Sequence, residues 1–254
     1  MIVITDGSNP GAIPPRLLTM LERKTLTRKM ASPMLYSYPS LDSLIFELKM
    51  RSHIVEAAKA MYASGVSFAS FSNSRSNEQY WIRTPQGGFL LRPNVLPSDA
   101  VNDIFENGHL YAFECAGAII IILYKAVLDA IGEAAFNRHF RNLYLISWET
   151  DHDLRLNATY NLNETYHGDT MYFKNPDYDR STPEWQGENA IKLDDNLFFG
   201  HGIGIGSAGE MIEKLNRARM PGSMTSAYLD NLIITPDFEF VRQLVYREEE
   251  AAAL

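Results

Sequence analysis

The chain has 254 residues, 46% of them hydrophobic and 21% charged, which leaves ample material for a large globular core. A formal net charge of −8, with no block rich in Lys and Arg, argues against a nucleic-acid surface. The single cysteine rules out an internal disulfide framework and suits a reducing compartment.

Residues 1–5 read as a short strand and lack the basic start of a signal peptide. Residues 9–15, with three prolines, form a breaker-rich loop, and 16–29 is a basic, weakly helical stretch. Ser40 is a good cap for a long helix running to Ser64 and stopped by Gly65. Leu44, Ile45, Leu48, Ile54, Val55, Ala58 and Met61 mark its core face. Residues 66–71, 79–84 and 89–92 are predicted as three strands of a small meander, and Pro97 opens a helix to Glu106.

The stretch from Gly108 to Gly132 is predicted as one nearly all-apolar helix, with Glu114, Lys125 and Asp129 on a single narrow stripe. Its uninterrupted apolar part, Cys115 to Tyr124, is too short to span a bilayer, so no membrane is expected. Cys115 lies in its opening turns, where unpaired N–H groups and the helix dipole favour a thiolate. It is then either a reactive nucleophile or a small core filler, since free cysteine is often buried and inert.

Residues 133–140 continue helical, and Leu143 to Trp148 reads as a strand. The polar residues 149–167 are read as a surface excursion, whose His152 and His167 are solvated and hold no metal. A strand at 169–173 and a loop at 175–184 precede a hairpin of 189–193 and 197–201, which turns at Asp194–Asn196. Residues 207–219 form a helix ended by Pro221 and Gly222, and a last helix starts near Pro236. The tail 248–254 is expected to be disordered. With no repeat or linker, 1–254 is read as a single α+β domain, its buried helix packed on a mostly antiparallel sheet.

Gly204, Gly206 and Gly209 satisfy the G-x-G-x-x-G spacing of dinucleotide sites, but the motif also needs a parallel strand ending in an acidic residue. Asp230 precedes the apolar Leu232–Ile234 instead of ending it, so no cofactor is assigned. A thiol nucleophile needs a base within reach and a third group to orient that base. His201, between Gly200 and Gly202, ends a hairpin strand, and Glu188 enters the same hairpin. Pairing across the turn brings the two together, giving the order Cys115, Glu188, His201.

At these residues the chain resembles the spore-coat protein-glutamine γ-glutamyltransferases, the small bacterial transglutaminases. The likeness is carried by Tyr111-Ala-Phe-Glu-Cys-Ala116, Trp185-Gln-Gly-Glu-Asn189, Phe199-Gly-His-Gly-Ile203 and shorter segments between residues 34 and 230. The first thirty residues and the tail are read as outside it, the former as a variable N-terminal segment. The resemblance implies a papain-like fold of the NlpC type and calcium-independent acyl transfer without a cofactor. Its nucleophile falls on Cys115, its histidine on His201 and its acid on Glu188, with Glu114 as a second, overlapping acid. Its aromatic tunnel walls match Phe68, Trp148 and Trp185, while Gln186 stands where a basic residue can occur. Implied partners are glutamine- and lysine-bearing proteins of the spore coat, reached from the mother-cell cytoplasm. A cysteine amidohydrolase or peptidase of the same fold, and a non-catalytic coat component, are the alternatives.

Overall fold

In the computed structural model, which describes residues 1–246, strand β1 (Ile2–Ile4) is followed by helix α1 (Met20–Ala31). Thr19 and Glu22 cap α1 reciprocally: the Glu22 N–H donates to the Thr19 hydroxyl at 3.2 Å, and the Thr19 N–H to the Glu22 carboxylate at 2.8 Å. Strand β2 (Tyr36–Tyr38) lies parallel to β1, and α2 (Leu41–Ala63) starts behind its Ser40 cap. Six of the seven predicted core residues of α2 are buried, and Ile45 is half-buried.

The next strands depart from the expected meander. Strand β3 (Ser67–Phe68) does not join β4 (Trp81–Arg83) and β5 (Phe89–Leu91). Beyond α3 (Pro97–Glu106), β3 finds a parallel partner in β6 (Ala112–Phe113). Alternation shows which faces a strand buries, not which neighbour it pairs with.

Strand β6 also corrects the single helix predicted from Gly108. The chain makes one tight turn at Gly108–Leu110 and extends through β6, and α4 (Cys115–Ile131) begins at the cysteine itself. Fourteen of its seventeen residues are buried, and Lys125 and Asp129 pair at 2.5 Å on its outer side. After α5 (Glu133–His139), β7 (Tyr144–Leu145) closes the β4–β5 sheet and stops before Trp148, which starts a one-turn helix.

The main sheet is built from the second half of the chain: β8 (Asn157–Thr159), β9 (Thr170–Lys174), β10 (Gly187–Asp194), β11 (Leu197–Gly200) and β12 (Gly204–Gly206). Beyond α6 (Ala208–Arg217) it gains β13 (Tyr228–Thr235), and α7 (Phe238–Tyr246) follows. The order is β12-β11-β10-β9-β13-β8, and every pair is antiparallel. The excursion 149–167 therefore supplies an edge strand. The Gly-rich run opens on an antiparallel edge strand, not the parallel βαβ unit that a dinucleotide needs. Helix α4 packs on α2 and β10, with Ile119–Leu123, Ile54 and Ile191 in one cluster. A buried cysteine helix on an antiparallel sheet that carries the histidine is the papain-like arrangement.

His167 is fully buried instead of solvated, hydrogen-bonded to the Thr25 hydroxyl at 2.9 Å. Beside it Lys29 and Arg51 meet Glu47 at 2.7 Å each, and Arg51 reaches Asp169 at 2.6 Å, all four buried. The expected disordered tail, 248–254, lies outside the described residues.

Candidate active site

Cys115 is the first residue of α4 and Glu114 is its cap. The Ala116 N–H donates to Glu114 Oε2 at 2.8 Å, so a carboxylate occupies the anion seat at the helix start. The thiol donates to the other oxygen of the same carboxylate, Oε1, at 3.1 Å. This corrects the expectation of a resting thiolate. Burial pushes the Cys115 thiol well above its usual range, the Glu188 and Glu114 charges add to the rise, and hydrogen bonds from Asn189 oppose it. The favourable end of the helix dipole is spent on Glu114.

The second partner of the sulfur is a residue the sequence reading did not single out. Asn189 Nδ2 donates to Cys115 Sγ at 3.3 Å, and Asn189 Oδ1 accepts from Trp148 Nε1 at 3.0 Å. An amide held at its oxygen by an indole can aim only its NH₂ group at the sulfur. Its signal lay in the hairpin register. Ala190 pairs with Gly200 at the end of β11, and Asn189 is the next residue back along β10. Because strand side chains alternate, Glu188 belongs to the other face.

Glu188 does lie beside His201, but it grips backbone and not the ring. Its Oε1 accepts the Gly202 N–H at 3.1 Å, and the His201 amide also favours its charged form. A Cβ at Gly200 would stand 2.6 Å from Glu188 Cγ, and one at Gly202 would stand 2.8 Å from Glu188 Oε2. The two glycines around His201 thus make room for this carboxyl. Burial raises the Glu188 pKa to about 8, against those amide bonds and with help from the Glu114 charge.

The His201 ring stacks on Phe113 at 5.0 Å and lies 6.0 Å from Phe68. Its Nε2 pairs with the Ser67 carbonyl at 3.2 Å, so the ring donates there and makes no hydrogen bond to the thiol. Burial lowers its pKa to about 4 despite the Ser67 and Phe113 carbonyls, which leaves a neutral imidazole at physiological pH. The resting thiol is therefore bonded to Glu114 and Asn189, where the triad expectation had placed His201.

A cleft of about 670 Å³ opens onto Cys115, Glu114 and Asn189, walled by Phe71, Ile146, Trp148, Tyr172 and Leu232. Trp148 is one of its walls, beside the cysteine. Phe68 and Trp185 stack on each other at 6.4 Å on the His201 side. Among the described residues one cluster could hold a metal, His167, Asp194 and Asp195; Lys24 already pairs with both aspartates, at 2.5 and 2.8 Å.

A family model described as protein-glutamine gamma-glutamyltransferase matches residues 1–245. The chain belongs to that family. A protein-glutamine gamma-glutamyltransferase from Halalkalibacterium halodurans is 49% identical over 84% of this chain and 75% of its own. One from Bacillus licheniformis is 42% identical over 90% and 92%. The solved structure of a transglutaminase from Geobacillus stearothermophilus, without its C-terminal extension, matches with a TM-score of 0.78 at 51% identity. That match covers 81% of this chain and 98% of the solved one.

Proposed function

We propose that this transglutaminase-family chain cross-links proteins by moving a γ-glutamyl group from glutamine to Cys115 and on to a lysine amine. The observation that carries the chemistry is the set of bonds at the floor of the cleft: Glu114 accepting from the Cys115 thiol, and Asn189, held by Trp148, donating to the sulfur.

As the sulfur attacks the γ-carboxamide, Glu114 takes the thiol proton; the carbon–nitrogen bond breaks, and that proton leaves with ammonia. The Cys115 N–H, at the helix start, donates to the oxygen that gains charge; such a donor contributes about 3 kcal/mol. A lysine amine then attacks the thioester, its surplus proton passing to a neighbouring carboxylate as the isopeptide forms and the thiol is restored. Glu114 is the acceptor assigned to that step, Glu188 can serve only once its own proton has left, and His201 contributes a neutral imidazole. Trp148, Phe68 and Trp185 keep water from the thioester. Spore-coat proteins are the substrates and the coat the place of action, and the reaction needs no calcium; these follow from the family resemblance.

The test is incorporation of a labelled primary amine into a glutamine-bearing protein, with and without a calcium chelator. Incorporation lost in Cys115→Ala and unaffected by chelation is expected. Ammonia release without incorporation would make the protein a hydrolase.

A further inference from the structure

A second pocket, of about 310 Å³, lies away from the sulfur and is lined by Ser74, Arg75, Ser76, Glu78, Trp81, Ile82, Arg83 and Arg92. Three guanidinium groups around one depression are unusual in a chain of net charge −8. None of the three meets a carboxylate among the described residues; each is held by backbone carbonyls instead. Arg75 donates to Leu110 and His109, Arg83 to Phe71, Ser72 and Ser74, and Arg92 to Glu78. The Nη1 group of all three and Nη2 of Arg92 keep their N–H donors without a partner among the described residues. Ser76, 9% exposed, has a hydroxyl with no partner either. Glu78 is the one acid in the lining, and it makes no ion pair among the described residues.

We propose that this pocket binds an oxyanion, and that the anion it takes is a carboxylate on an acidic segment of the glutamine-bearing protein substrate. Guanidinium forks whose positions are fixed by carbonyls suit a carboxylate, since the donors are oriented before it arrives. The link to the substrate is the chain from Phe71 to Ser76. Phe71 walls the catalytic cleft, Ser74 and Ser76 line the pocket, and Arg83 clamps the Phe71 and Ser72 carbonyls between them. Five residue steps reach at most roughly 17 Å. An acidic side chain three to six residues from the reactive glutamine can therefore enter the pocket while the glutamine is at Cys115.

The inference rests on the transfer reading, and the experiment separates the two. Two glutamine peptides, one neutral and one with a pair of Glu placed three to six residues from the glutamine, are compared as donors to a labelled amine. The acidic donor is expected to show a KM about three- to tenfold lower at low salt, with kcat unchanged. High salt and Arg75→Gln/Arg92→Gln both remove that advantage and leave the neutral donor alone. Inorganic phosphate, which offers the same chemistry free in solution, raises KM for the acidic donor only. Equal KM values for the two donors in the wild-type protein, or an advantage that survives the double substitution, overturn the pocket's role. No turnover of either donor overturns the transfer reading instead. Should the double variant not fold, the wild-type salt and phosphate comparisons decide the matter alone.

Discussion

At Cys115 the arrangement favours a proton relay over a standing ion pair. The thiol is held protonated by burial and by two nearby carboxyl groups, one of which is also its hydrogen-bond acceptor. Glu114→Gln therefore acts in opposite directions on two measurements. It removes a negative charge beside the sulfur, so the thiol pKa falls and alkylation by iodoacetamide at mildly alkaline pH speeds up. It also removes the proton acceptor, so amine incorporation falls by about a hundredfold. Alkylation and incorporation slowing together would defeat this account. Trp148→Phe keeps the aromatic wall but frees the Asn189 oxygen, so the amide is no longer fixed toward the sulfur. A drop in kcat of about tenfold with KM little changed is expected, the size of one neutral hydrogen bond that orients a reacting group. A rise in KM alone would instead make Trp148 a mere wall of the cleft.

At the scale of elements, the β10–β11 hairpin and the start of α4 carry the sulfur, Glu188, Asn189 and His201, while β3, β6 and the turn at Trp148 brace them. Gly200→Ala tests the hairpin. The added methyl would overlap Glu188 Cγ, and Glu188 is the group that holds the backbone around His201. Loss of most activity, with far-ultraviolet circular dichroism unchanged, is expected; full activity would show that Glu188 has room to move. Much of this was legible in the sequence. The hairpin limits followed from Asp194–Asn196, the stop of α4 from Gly132, and the closeness of Glu188 to His201 from pairing across the turn. Three of the misses share one cause. That β3 pairs with β6, that the chain extends before Cys115, and that Asn189 of β10 reaches the sulfur are all facts of register and long-range pairing. Local apolar pattern carries no information about them. The helix-dipole argument for a thiolate failed because Glu114, one residue earlier, took the same donors.

Across the whole molecule the buried acids set how stability varies with pH, and they pull in opposite directions. Burial disfavours the Glu47 charge, but Lys29 and Arg51 outweigh it and lower its pKa to about 2. A group lowered in the folded state contributes stability above its ordinary value of 4.5, and that contribution is lost as pH falls toward 2. Glu47→Gln leaves buried Lys29 without its carboxylate and Arg51 with Asp169 alone, across the seam where α1 docks on α2. A loss of about 3–5 kcal/mol at pH 7 in urea unfolding is expected. Glu188 has the reverse sign. Its folded form keeps a proton up to about pH 8, whereas the unfolded chain releases it near 4.5, so the folded state loses ground as pH climbs between those values. Taken alone, the shift amounts to about 3–5 kcal/mol by pH 8. Thermal stability of the wild-type protein should therefore peak on the mildly acidic side of neutrality. Glu188→Gln should raise Tm at pH 8 by several degrees and leave it unchanged near pH 4.5, even as it impairs amine incorporation. A Tm gain of equal size at both pH values would mean the substitution stabilises by packing, and that the buried carboxyl is not what limits stability in alkali.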